Sequence, residues 1–319
     1  MSIIYIIGFV GVCIFGIIQI YLKYITKWCK SKVCLVGKTV IVTGANAGIG
    51  YETSLELAKR GARVILACRD QQRGSAAVES IKRLTENENV TLKLLDLASF
   101  KSINNFVDDI IKNKTKIDVL VNNAGAWGLG DKLSEDGLQM EWQINHYGPV
   151  LLTLRLLDSI KKSSPSRIIS VSSMAARFSK LTMNTLSRLN NYDNDNLVYC
   201  DTKLCNILFT QKLAKLLQDE NVSVFSVHPG PVDTPIITGR WSPKLKFIGR
   251  ILTRLFFLTP EEGAQTQIHT VCEQGIEHLS GSHFEYCHAI KPYKAAINFD
   301  LAETVWKETL KFIKYDEIK

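Results

Sequence analysis

Lys38-Thr39-Val40-Ile41-Val42-Thr43-Gly44-Ala45-Asn46-Ala47-Gly48-Ile49-Gly50 is the stretch whose reading sets the fold class of this chain. An unbroken β-branched run without polar alternation predicts a parallel strand buried on both faces. The glycines at 44, 48 and 50 turn that strand into a helix expected to run to about Arg60. Such a turn lets the backbone approach a pyrophosphate, which rests where the helix N-terminus presents free N–H groups. A strand before the turn and a helix after it favour a dinucleotide site over a merely tight connection.

The same alternation continues outward from this unit. A second strand is predicted over Arg63 to Cys68, followed by a helix from Gln71 to Leu84. A third strand covers Thr91 to Leu95, a fourth Ile117 to Val121, a fifth Arg167 to Ser173 and a sixth Val222 to Val227. Strands alternating with helices predict an α/β fold with a doubly wound, Rossmann-type parallel sheet. Polar and small residues recur at the strands' carboxyl ends, the edge where ligands bind in such sheets. Arg69 stands where an acidic residue would bond the ribose 2′-hydroxyl of NAD, so it favours a 2′-phosphate, although Asp70 follows it. Asp96-Leu97 closes the third strand, where Asp96 either meets an adenine edge or caps the helix beginning near Ser99. Asn122-Asn123-Ala124-Gly125 ends the fourth strand and Ser172-Ser173 the fifth. His228-Pro229-Gly230-Pro231-Val232-Asp233-Thr234 follows the sixth, with His228 read as structural.

Tyr199-Cys200-Asp201-Thr202-Lys203 opens a helix whose apolar positions include Leu204, Ile207, Leu208 and Leu213. Residues four apart share a helical face. A neighbouring ammonium favours phenolate over phenol, so Lys203 is expected to lower a Tyr199 pKa that is ordinarily about 10. The pair is then a general acid/base for an alcohol or carbonyl. Taken alone, the same spacing also fits surface neighbours.

The chain has 319 residues, 46% hydrophobic and 22% charged, with a formal net charge of +8. That charge is read as facing a membrane, with no nucleic-acid partner expected. Residues 1–22 hold no charged side chain, and about 20 apolar helical residues cross a hydrocarbon core of roughly 30 Å. We read them as an uncleaved transmembrane signal-anchor rather than a signal peptide or a buried helix. Residues 23–37 form a basic juxtamembrane linker, and residues 38–319 the catalytic domain. Lys23, Lys27, Lys30, Lys32 and Lys38 place that domain on the cytosolic side. The eight cysteines show no metal-ligand spacing and no disulfide framework, so no metal is expected. Cys29 and Cys34 lie where membrane-proximal palmitoylation occurs.

With Thr43-Gly44-x-x-x-Gly48-Ile49-Gly50, Asn122-Asn123-Ala124-Gly125, Ser172-Ser173, Tyr199-x-x-x-Lys203 and His228-Pro229-Gly230 in this order, the chain resembles the short-chain dehydrogenase/reductases from about Lys38 onward. Within that family it is similar to the membrane-anchored retinol dehydrogenases, through Ala67-Cys68-Arg69-Asp70, Gln143-Ile144-Asn145-His146, Asn206-Ile207-Leu208-Phe209-Thr210 and Glu262-Gly263-Ala264-Gln265-Thr266. The resemblance implies a catalytic tetrad of Asn145, Ser173, Tyr199 and Lys203. It also implies cofactor contacts from Gly44, Asn46, Gly48, Ile49, Gly50, Arg69, Asp96, Leu97, Asn123, Ala124, Gly125, Tyr199, Lys203, Pro229, Gly230, Val232 and Thr234. Ala47 replaces a hydroxyl residue common in the subgroup. Tyr147-Gly148-Pro149 and Pro231-Val232-Asp233 also depart from its pattern, and both are expected near the substrate.

The implied activity is NADP(H)-dependent interconversion of an apolar alcohol and its aldehyde, retinol and retinal first, in the endoplasmic reticulum membrane. The substrate is thus an apolar small molecule, membrane lipid is a partner, and a homodimer stays open. The alternatives are a reductase of steroid or other lipid ketones, and a membrane-tethered cofactor-binding protein without turnover. A basic amphipathic helix over residues 241–258 is expected to lie either on lipid or as a lid over the substrate.

Overall fold

The computed structural model describes residues 27–233 and 257–315, together with scattered positions of the N-terminal stretch. Among the described residues no helix is long and apolar enough to cross a membrane. The proposed anchor, Thr234 and nearly all of the proposed amphipathic helix lie outside them.

Eight strands form one sheet in the order β3-β2-β1-β4-β5-β6-β7-β8. They are β1 (Thr39–Thr43), β2 (Arg63–Cys68), β3 (Val90–Leu94), β4 (Val119–Asn122), β5 (Ser166–Val171), β6 (Val222–His228), β7 (His283–Glu285) and β8 (His288–Ile290). All neighbours are parallel except β7 and β8, which pair antiparallel. The six expected strands are present, shifted at their ends by no more than a few residues. The edge pair β7–β8 escapes sequence reading because three-residue strands carry no measurable period.

Every residue of β1 is buried. Ile41 belongs to the apolar core on one face, with Ile65, Leu120 and Ile168, while Val40 and Val42 belong to the core on the other. That is the consequence of a two-residue side-chain period in a strand covered on both sides. Helices α1 (Gly48–Lys59), α2 (Gln71–Thr85) and α6 (Pro260–Cys272) cover the valine face. Helices α3 (Phe100–Lys112), α4 (Gly148–Lys161), α5 (Asp195–Leu216) and α7 (Phe299–Phe312) cover the isoleucine face.

The helix starts are encoded locally. Asp70 accepts the Arg73 N–H at 2.9 Å, Ser99 that of Ser102 at 3.1 Å, and Asn194 that of Leu197 at 3.0 Å. Thr259 and Glu262 form a reciprocal capping box. Such caps satisfy backbone donors that a helix leaves open. At α1, by contrast, the N-cap residue Ala47 makes no side-chain cap.

Residues 27–36 run along the domain. The Cys29 N–H donates to Gln265 Oε1 at 3.1 Å, Ser31 Oγ donates to the Cys272 carbonyl at 3.0 Å, and the Leu35 N–H donates to the Arg60 carbonyl at 2.8 Å. Leu35 is itself buried. Cys34 is exposed, whereas Cys29 is partly covered.

Candidate active site

The strand order reverses between β1 and β4, and a crevice opens there at the carboxyl ends of the strands. Thr43, the last residue of β1, ties the two strands together. Its Oγ1 accepts the N–H groups of Asn123 and Ala124, both at 3.0 Å, and its carbonyl accepts Asn123 Nδ2 at 2.8 Å. Gly44 and Gly48 have φ of +65° and +56°. A Cβ on Gly50 would lie 2.4 Å from Asn123 Nδ2 and 2.6 Å from the Gly44 carbonyl. The turn is therefore closed around glycine, with the uncapped N–H groups of α1 facing the opening.

This crevice is a cavity of about 820 Å³. Gly44, Asn46, Gly48, Ile49 and Gly50 line it at one wall, and Asn123, Ala124 and Gly125 at another. Arg69, Asp96 and Leu97 close the end beyond β2 and β3, and Pro229, Gly230 and Val232 the end beyond β6. Tyr199, Lys203 and Ser173 also reach it. Asp96 spends Oδ1 on its own loop, accepting the Ala98 N–H at 2.9 Å, while Ser99 caps α3. Asp70, the residue that weakened the reading of Arg69, is engaged as the cap of α2 and has Arg73 beside it at the cavity.

The tetrad residues converge from three elements. Tyr199 and Lys203 stand one turn apart on α5, with Lys203 Nζ 5.5 Å from the centroid of the Tyr199 ring. Lys203 Nζ donates to the Val171 carbonyl at 3.0 Å. Ser173 hydrogen-bonds Tyr199, whereas Ser172 is buried and donates to the Lys203 carbonyl at 2.6 Å. Asn145 lies behind the cavity wall. Its Oδ1 accepts the Ala126 N–H at 2.7 Å, and its Nδ2 donates to the Ala126 carbonyl at 2.8 Å and to Thr202 Oγ1 at 3.2 Å. A Cβ on Gly125 would be 3.2 Å from Lys203 Nζ and 3.4 Å from Asn145 Oδ1, so a side chain there would press on the lysine tip.

One expectation is corrected by packing. The Tyr199 pKa is not lowered but pushed up to about 12, chiefly by burial, against a smaller lowering from Ser173. Burial also pushes Lys203 down to about 8, opposed by the charge of Glu141. Desolvation disfavours both charged forms and outweighs the benefit of their proximity. His228 is held down to about 3 by burial and lies too low to serve as a base near neutrality, in keeping with a structural role.

A second expectation also fails. Tyr147 is fully buried between Trp142 and Phe312, away from the cavity. It sits in a π-helical turn, Gln143–Tyr147, which directs the ring into the core. Pro231 and Val232 do line the cavity.

Three contributors were not legible in the sequence. Trp127 stands 6.1 Å from the Tyr199 ring, centroid to centroid. Glu141 is fully buried, accepts the Gly128 N–H at 2.8 Å, and acts electrostatically on both Tyr199 and Lys203. Arg73 joins Arg69 at the far end. Trp127 and Glu141 are distant in sequence from Tyr199 and Lys203, and Arg73, four residues after Arg69, belongs to no motif read above.

The short chain dehydrogenase family matches residues 38–244, and this chain belongs to the short-chain dehydrogenase/reductase family. That family consists of oxidoreductases whose fold binds a nicotinamide cofactor. Within it the chain is of the retinol dehydrogenase-like subgroup. It is 42% identical to Homo sapiens retinol dehydrogenase 11 over 278 residues, which span 87% of this chain and 86% of that protein. Homo sapiens retinol dehydrogenase 12 is 39% identical over 278 residues, spanning 87% of each, and retinol dehydrogenase 13 is 38% identical over 288, spanning 89% and 87%. The solved structure of an uncharacterized Mycobacterium Paratuberculosis protein superposes with a TM-score of 0.73 at 26% identity, covering 92% of this chain and 100% of that one. L-sorbose reductase from Gluconobacter frateurii, complexed with NADPH and L-sorbose, shares the fold with a TM-score of 0.63 at 22% identity, covering 79% and 96%.

Proposed function

We infer that this protein is an NADP(H)-dependent oxidoreductase interconverting an apolar primary alcohol and its aldehyde, with retinol and retinal as the leading pair. The observation that carries this reading is the cavity itself, which joins two arginines at one end to a Tyr-Ser-Lys cluster at the other. The glycine turn and the uncapped start of α1 suit a dinucleotide pyrophosphate. Arg69 and Arg73 suit a 2′-phosphate, because the carboxylate beside them is turned to capping.

A bound nicotinamide dinucleotide would supply or accept the hydride at the substrate carbon. In reduction, Tyr199 gives its phenolic proton to the carbonyl oxygen, and Ser173 donates a hydrogen bond to that oxygen. The high pKa of Tyr199 keeps the proton on the ring until a developing alkoxide takes it. Lys203 would hold the cofactor's ribose, and it brings positive charge toward the phenolate that forms. Asn145 fixes the loop around Ala126, and in this reading it would place a water for proton relay. Trp127, Met174 and Phe178 make the Tyr199 end of the cavity partly apolar.

Residues 1–22 would anchor this domain, facing the cytosol, in the endoplasmic reticulum bilayer, the phase in which an apolar alcohol dissolves. The deciding assay sets the purified full chain in detergent against retinal, a medium-chain aldehyde and a ketosteroid, each with NADPH and NADH. Retinal turned over best with NADPH is expected, and Arg69→Ala should narrow the coenzyme preference by about tenfold or more. A preference for NADH, or for the ketosteroid, would overturn the corresponding part of the reading.

A further inference from the structure

On the opposite side of α6 from the crevice, a second group of chemically able side chains comes together. A sulfur of Cys29, an imidazole nitrogen of His269 and a carboxylate oxygen of Glu273 lie within 4.8 Å of one another, all three residues being partly buried. His269 and Glu273 are four apart and share one face at the end of α6, with His269 Nδ1 3.6 Å from Glu273 Oε2. Cys29 is held over that face from outside. Its N–H donates to Gln265, one turn before His269, and Ser31 Oγ and Cys287 Sγ hydrogen-bond across the same junction, to the carbonyls of Cys272 and Lys27.

We propose that Cys29, His269 and Glu273 form a zinc-type divalent metal site that clips residues 27–33 to helix α6. A thiolate and an imidazole with one carboxylate is a donor set that suits zinc and disfavours magnesium or calcium. With metal–ligand distances of about 2.0–2.3 Å, ligand atoms around one tetrahedral ion are roughly 3.3–3.8 Å apart. The His269–Glu273 separation of 3.6 Å already has that value, and no pair of the three needs to close by more than about 1 Å. One thiolate and one carboxylate neutralise the dication, and a water completes the fourth position. Because Cys29 is 240 positions from His269, no ligand spacing in the sequence could have shown the site. The consequence is mechanical: the metal would fix how the segment arriving from residues 1–22 meets the domain.

The test uses the reduced full-length protein in detergent, titrated with Co²⁺ as the probe. One equivalent should produce a thiolate-to-cobalt charge-transfer band that Zn²⁺ abolishes by displacement. Cys29→Ser should remove the band, His269→Asn and Glu273→Gln should each weaken Co²⁺ binding about tenfold or more, and Cys34→Ser should leave it unchanged. Zn²⁺ should also slow tryptic cleavage after the exposed Lys30 and Lys32 in the parent but not in Cys29→Ser. NADPH binding by each variant verifies its fold. A parent without the band, a band that survives Cys29→Ser, or cleavage indifferent to Zn²⁺ would overturn the proposal.

Discussion

Lys203 Nζ lies 5.5 Å from the centroid of the Tyr199 ring and donates at 3.0 Å to the Val171 carbonyl, so the last residue of β5 holds the ammonium on the Tyr199 side of the cavity. The arrangement positions a charge beside a phenol without ionising it. Burial raises the cost of both charged forms, and the pair is ready for a reaction in which charge develops only in the transition state.

Tyr199→Phe removes the proton and little else. Turnover is expected to fall by about 10²–10⁴, with NADPH affinity unchanged in a fluorescence titration. A variant keeping more than half of the parent kcat would remove Tyr199 from its role.

The two neighbouring serines should separate cleanly. Ser173 bonds Tyr199, so Ser173→Ala should lower kcat severely, with a stability cost of about 0.5–2 kcal/mol from losing its cap on the Ala175 N–H. Ser172 is a buried donor to the Lys203 carbonyl, and Ser172→Ala should cost about 1–3 kcal/mol in urea unfolding with a milder effect on kcat. The reverse pattern would exchange their assignments.

Gly50→Ala tests the dinucleotide turn. Its Cβ would meet the Gly44 carbonyl at 2.6 Å, and backbone cannot move aside as a side-chain tip can. Overpacking of about 1–3 kcal/mol should appear as weaker NADPH binding by roughly tenfold or more, measured by calorimetry. Parent-like affinity would place the pyrophosphate elsewhere.

The pH dependence of stability follows from Lys203. Its pKa is 10.5 in the unfolded reference and about 8 when folded. Between those values the unfolded chain holds more protons, so this group makes stability rise with pH across that window. Relative to Lys203→Met, which cannot titrate, the cofactor-free parent should therefore gain stability between about pH 8 and 10. A constant difference in urea unfolding across that range would refute the buried charge.

Protease treatment of sealed microsomes tests the membrane arrangement. The lysines at 23, 27, 30, 32 and 38 predict a cytosolic domain that is digested, with the sequons at Asn89, Asn113 and Asn221 unglycosylated. Protection, or a mass shift removed by glycosidase, would reverse the orientation.

What the sequence determined by itself was local. The β-branched run at 39–43, the glycines at 44, 48 and 50, and the four-residue spacing of Tyr199 and Lys203 are short-range signals that tertiary packing left in force. They were enough for the sheet's first six strands and for the glycine turn at the crevice, while Trp127 and Arg73 on its lining escaped them. The tertiary structure alone decided the meeting of Asn145 with Ala126, the charge of Glu141 behind the tetrad, the burial of Tyr147 and the approach of Cys29 to His269. It also decided the sign of the Tyr199 shift. Spacing along a helix tells which groups are neighbours, but how far water is excluded from them depends on what packs over that face, and desolvation here is the larger energy.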